Sequence, residues 1–235
     1  MRCAGPRVQQ ERDPSGVSHN GAVLYPVSFG DDEPDPLRAR VLCSYAEGVR
    51  ALVRLGQEYV DWTLPVESTA CPAIGVAGHL LATARSCHRL LDASLAGRAP
   101  SDADRSRSLV CCGPIPPVPP DRLAAGIDRL VAFDAVATRY GERLADTGSD
   151  LRLGVWDAEG RLSATRHGLL LALEWHLHAW DLAGALGWDY RPADVEVLLD
   201  GLPPAPSPLP TGGPWEAVLA IAGRRPPAGE RPSGP

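Results

Sequence analysis

Apolar residues recur at steps of three and four through four long stretches of the chain, and each stretch reads as a helix. In the first, Leu37, Val41, Tyr45, Val49, Leu52, Val53, Leu55, Tyr59 and Val60 mark a helix to about Asp61, and Pro36 suits its first turn. Pro65 forbids helix through the connection Trp62–Thr69, where Ser68 or Thr69 can cap the next helix. That second helix runs from about Pro72 to Leu95. Ile74, Ala77, Leu81, Ala84 and Leu91 form its apolar face, and His79 shares a stripe with Thr83, Ser86 and Leu90. His88, near the end of this helix, is favoured there as a cation by the helix dipole and takes no further role. A third helix spans about Pro120 to Ala145, with Leu123, Ile127, Leu130, Val131, Asp134, Val136, Ala137 and Leu144 on its inward face. Leu151–Leu162 then alternates apolar and polar residues around a Glu159–Gly160 turn, a hairpin-like lead into a last helix that Ser163 can cap.

That last helix is organised differently. From Leu169 to Leu186 nearly every position that a surface helix would give to solvent is Leu, Ala or Trp, so other helices enclose it on most sides. At about 100° per residue, Glu174 and His178 lie about 40° apart on successive turns, and His167 and Asp181 fall within about 20° of Glu174. The polar residues form one stripe. An ionised carboxylate in such a setting requires a cation. Glu174 and His178 suit one divalent ion gripped from a single helix, while the competing reading has them bonded to each other or to an arginine from another helix. His176 points about 160° away from His178 and reads as a satisfied core or surface histidine.

The intervening segments set the domain boundaries. Residues 1–35 lack periodicity and form a flexible lead-in, 36–190 hold the helices, and 191–235 make a short Pro-rich extension with short helices near Ala193–Leu199 and Trp215–Ala222. Pro203–Pro210 forces coil or polyproline, and the tail from Arg224 is expected to be disordered. Residues 96–120 are a long connection crossing between non-adjacent helix ends, and its vicinal Cys111 and Cys112 read as small hydrophobes.

Composition narrows the partners. A formal net charge of -6 without any basic run speaks against nucleic acid and anionic membrane, leaving a small molecule. All 23 basic residues are Arg and Asn occurs only at position 20, the mark of a very GC-rich, actinobacterial-type genome. Six cysteines without a C-x-x-C pair fit a reduced cytoplasm, and neither a secretory leader nor a membrane span is expected. The chain is expected to act as a monomer or homodimer.

Several stretches together resemble a known group: Asp61-Trp-Thr-Leu-Pro-Val-Glu-Ser68, Val76-Ala-Gly-His-Leu80, Glu159-Gly160, Glu174-Trp-His-Leu-His-Ala-Trp-Asp-Leu-Ala183 and Pro214–Pro226. They are similar to the DinB-like four-helix metalloproteins, and within them to the mycothiol-dependent maleylpyruvate isomerase and mycothiol S-transferase branch. The resemblance covers about residues 37 to 226. It implies an all-α, DinB-like four-helix bundle with a long crossover connection and a Pro-rich C-terminal extension. It also implies one divalent metal, most often Zn2+, on His79, Glu174 and His178, with Asp181 as a supporting residue behind the ligands; His167, on the same stripe of the last helix, is a second supporting candidate. Three protein ligands leave a position open for a thiol, here mycothiol, whose metal-held thiolate would attack an electrophilic small molecule. Two departures bear on the reaction. Pro72 stands only seven residues before His79, where the family has a Pro-x-Trp about ten before, and the residues after Gly187 are too few to build the isomerase's extra domain. S-transfer, in detoxification or natural-product tailoring, is therefore expected over isomerisation. A metal-dependent hydrolase or lyase using activated water, and a non-catalytic metal-binding bundle, stand as alternatives.

Overall fold

A computed structural model describes residues 35–59, 61–69, 71–99, 126–148, 151–157, 160–202 and 213–224; for 154–157 and 160 it gives the backbone course alone. The lead-in 1–34, residues 100–125 of the long connection with Cys111 and Cys112, the Pro-rich run 203–212 and the tail after Arg224 lie outside the described residues. What is described is mostly helical, in agreement with an all-α class, and it includes four long helices, two short ones and two small antiparallel hairpins.

Helix α1 is Pro36–Glu58. Asp35 caps it by accepting from the Leu37 amide at 3.0 Å, and Pro36 sits in the first turn, where its missing N–H costs nothing. The helix stops three residues short of the expected Asp61 because Tyr59 turns extended and donates its hydroxyl to the Leu182 carbonyl at 2.6 Å. Two residue pairs of hairpin come next, β1 Pro65–Val66 and β2 Cys71–Pro72, and then α2, Ala73–Leu95. Neither Ser68 nor Thr69 caps α2. Its first amides are satisfied by loop carbonyls instead, Ala73 by Leu64 and Ile74 by Trp62, which leaves the Ser68 hydroxyl free to bond Asp181.

Helix α3 is described from Gly126 to Asp146, and its inward face keeps Leu130, Ala137 and Leu144 of those expected but turns Ile127 and Val131 outward. Leu130, Phe133, Ala137, Tyr140 and Leu144 are buried, whereas Ile127 and Val131 are 38% and 61% exposed. Strands β3, Arg152–Asp157, and β4, Gly160–Ser163, pair antiparallel as the alternation predicted, with Arg152 opposite Ser163 and Trp156 opposite Arg161. Helix α4, Ala164–Ala185, begins where Ser163 Oγ accepts from the Arg166 amide at 3.1 Å. It ends at Gly187, whose φ of +71° turns the chain so that the Trp188 amide reaches back to the Ala183 carbonyl at 2.9 Å. Short helices α5, Val195–Leu199, and α6, Pro214–Ile221, complete the described chain.

Packing centres on α4, buried along both its apolar and its polar stripes. Helix α1 lies along α4, while α2 lies along α3. Gly48 allows the first approach: a Cβ there would stand 2.7 Å from Trp175 Cβ. Around Trp175, Phe133 and Tyr45 pack edge-on at 5.0 and 6.1 Å between ring centroids, and Tyr45 donates to the Ala137 carbonyl at 2.8 Å. His88 has a structural task that its sequence position did not reveal. Its Nε2 donates to the Val136 carbonyl and its Nδ1 accepts from Arg143, which ties α2 to α3. Among the described residues no helix is long and apolar enough to cross a membrane.

Candidate metal centre

Three side chains from two helices meet inside this core. His79 comes from the second turn of α2, and Glu174 and His178 from successive turns of α4. One donor atom of each lies within 4.8 Å of the others. His79 Nε2 stands 2.8 Å from Glu174 Oε1 and His178 Nε2 stands 3.1 Å from the same oxygen. The two imidazoles meet edge to face at 5.1 Å between centroids. His178 and Glu174 are sealed, with 1% and 2% of the side chain exposed, whereas His79 keeps 24%. The group therefore opens toward solvent on the α2 side.

Burial works against charge on Glu174, yet the two imidazoles outweigh it and hold the carboxyl well below the usual carboxylate range. For His178 burial likewise favours the neutral ring, but the facing Glu174 charge and the bonds to Asp181 and Glu174 raise it to about 9. The pocket is thus built around a buried anion with a cation beside it.

These donors fit a divalent ion. Around an ion at about 2.1 Å from each donor, tetrahedral ligands stand roughly 3.4 Å apart. The observed 2.8 and 3.1 Å separations need to open by only a few tenths of an ångström. Two imidazoles and one carboxylate are also the donor types such an ion takes, and an ion bound there would take over from the His178 proton as the counter-charge of Glu174.

Behind His178 stands Asp181, whose Oδ2 accepts from Nδ1 at 2.9 Å. That bond fixes the ring so that Nε2 faces Glu174, the arrangement by which a carboxylate orients a ligating histidine. Asp181 is itself held by Arg224, with Nε 3.0 Å from Oδ1 and Nη2 2.8 Å from Oδ2, and by Ser68 Oγ at 2.6 Å from Oδ1. The competing reading is met in part: Glu174 and His178 are bonded to each other at 3.1 Å, while the buried arginine meets Asp181 instead. Arg224 is 4% exposed, which corrects the expectation that the tail is disordered from this residue onward. Burial favours the protonated form of Asp181, and the bonds from His178 and Arg224 overcome it, holding the carboxyl below its usual range.

The other candidates go elsewhere. His167, on the same stripe of α4, faces Tyr140, with its Nδ1 2.8 Å from the tyrosine hydroxyl, and is not part of the group. About two helical turns of separation from Glu174 are enough to put it beside α3. His176 is a core residue as expected, set between Ser44 and the Tyr190 hydroxyl, with burial pushing its pKa down to about 4. Arg224 and Ser68 are the residues that sequence reasoning missed. The available signal was Asp181: a second carboxylate on an apolar helix also demands a counter-charge. Comparison with family models, with curated proteins and with solved structures found no match to this chain.

Proposed function

We propose that this chain is a metal-dependent, thiol-using enzyme that transfers sulfur to an electrophilic small molecule, in the manner of the DinB-like mycothiol S-transferases its motifs resemble. The observation that carries the proposal is the convergence of His79, Glu174 and His178 donor atoms within 4.8 Å, in a group sealed on one side and open on the other. A divalent ion such as Zn2+ held there supplies positive charge that lowers the pKa of an incoming thiol. The chain's own residues do the rest. Glu174 and two neutral imidazoles contribute a single negative charge, so a dication site keeps a net positive charge that favours an anionic partner such as a thiolate. Glu174 and His178 are themselves closed to solvent. Access past the partly exposed His79 edge confines both thiol and electrophile to one face, where the sulfur forms its bond to carbon as the leaving group departs with its electron pair.

The DinB-like bundle topology belongs to the same proposal, supported by four long helices with the three donors on α2 and α4. S-transfer, rather than isomerisation, is the reaction proposed. Purified protein should contain close to one zinc per chain, and His79→Ala, Glu174→Gln and His178→Ala should each lose it. Supplied with mycothiol and monobromobimane, the protein should accelerate adduct formation over the uncatalysed rate, and chelation should abolish the acceleration. Substrate loss without thiol would indicate activated water instead, and bound metal without thiol chemistry would reduce the protein to a metal-binding module.

A further inference from the structure

Asp181 is held from three separate elements. All four contacts on its carboxylate are donors, from His178 on α4, from Ser68 in the β1–β2 turn and from two nitrogens of Arg224 just after α6. A bidentate guanidinium fixes a carboxylate's plane as well as its position. Its remaining freedom matters because a cavity of about 650 Å³, lined in part by Ser68, Trp180 and Arg224, borders the Asp181 carboxylate. Without the guanidinium the carboxylate could turn outward to water in that cavity and release Nδ1 of His178.

We propose that Arg224 and Ser68 are positioning residues that act through Asp181 to aim His178 Nε2 at the metal, so that docking of the C-terminal segment and metal affinity are coupled. This inference rests on the metal reading of the site. The coupling runs both ways: a segment that tightens the metal site is itself held more firmly when the metal is bound.

The sign of the effect separates positioning from simple electrostatics. Removing a buried positive charge two groups away would by itself make a dication bind more tightly. Loss of aim makes it bind more weakly, by the roughly 10–100-fold typical of losing a partner behind a metal ligand. Zinc affinity is measured on full-length protein by competition with a chromophoric chelator, alongside the visible spectrum of the Co2+-loaded protein and circular dichroism as a check of fold. Arg224→Met is expected to weaken zinc by roughly 10–100-fold and shift the Co2+ bands, while Arg224→Lys, keeping charge and one bond, recovers part of both. Ser68→Ala, which changes no charge and serves if Arg224→Met does not fold, is expected to weaken zinc severalfold. Affinity within twofold of the parent or tighter, with unchanged Co2+ bands, in folded Arg224→Met or in Ser68→Ala overturns the positioning role. Failure of the parent protein to bind zinc would overturn the metal reading and this inference with it.

Discussion

His176 and His178 sit two residues apart on one helix and titrate in opposite directions, because each meets different partners across the core. His178 faces two carboxylates and is held up at about 9; His176 faces Ser44 and Tyr190, neither of them anionic, and burial takes it down to about 4. A histidine depressed in the folded state contributes stability that is fully present above its unfolded value of about 6.5 and lost as pH falls through the folded value. His176 should therefore weaken the metal-free protein between pH 6.5 and about 4, by up to about 3 kcal/mol. Urea unfolding across that range, compared with His176→Gln, isolates the effect, since His178 is common to both proteins. Parallel pH profiles for the two would refute the assignment. Residue-scale chemistry of this kind was partly readable beforehand: helical geometry alone separated His176 from the Glu174 stripe. It could not separate His167 from Asp181, which lie at equal sequence distance from Glu174, because the difference is made by Tyr140 and Arg224 on other elements.

Among the elements, α3 shows why periodicity locates a helix more reliably than it locates the buried face. Ile127 and Val131 are the more apolar by composition, but the interior accepts Phe133 and Tyr140, whose rings fill the space around Trp175 and His88. Choosing between two faces requires knowing which neighbours need filling, and those neighbours are tertiary. Val131→Glu should accordingly change stability by no more than about 0.5 kcal/mol, whereas Phe133→Ala should cost about 3–5 kcal/mol. Denaturant midpoints at constant slope test both, and a costly Val131 substitution would reverse the assigned face. The α1–α4 contact yields a second test. Gly48→Ala gains helix propensity of about 1 kcal/mol but drives a methyl to within 2.7 Å of Trp175 Cβ, an overpacking that typically costs about 1–3 kcal/mol. Because the clashing atom lies next to the backbone, it has little room to move. Net destabilisation is expected, and a Gly48→Ala protein more stable than its parent would show that α1 can shift away from α4.

For the whole molecule, the site is buried in a core that does not depend on it. Leu52, Ile74, Leu80, Leu91, Phe133, Leu153 and Trp175 are all fully enclosed away from the ligand stripe, so the chain has enough apolar burial to stay folded without metal, unlike a small domain folded by zinc alone. Metal removal should leave the helical circular dichroism signal in place and lower the melting temperature. With free zinc at a hundred times its dissociation constant, binding adds about 2.7 kcal/mol, which for a chain of this size raises the midpoint by roughly 5–10 °C. Glu174 and His178 were legible as a pair because they share a helix face, whereas His79 was pointed out only by the motif resemblance, since a lone histidine among small polar neighbours carries no such signal. The C-terminal brace was not, because Arg224 sits 43 residues from Asp181 beyond a proline-rich run, where no periodic signal connects them. Melting curves with zinc and with chelator should therefore separate two kinds of variant. His79→Ala should show no zinc-dependent shift and melt close to the metal-free parent, since its partly exposed ring contributes little to packing. Asp181→Asn should melt lower even in chelator, because it leaves the buried Arg224 guanidinium without its counter-charge. A metal-free parent that loses its helices, or a His79→Ala protein that still gains stability from zinc, would mean that the ion binds elsewhere or that the core is weaker than its burial implies.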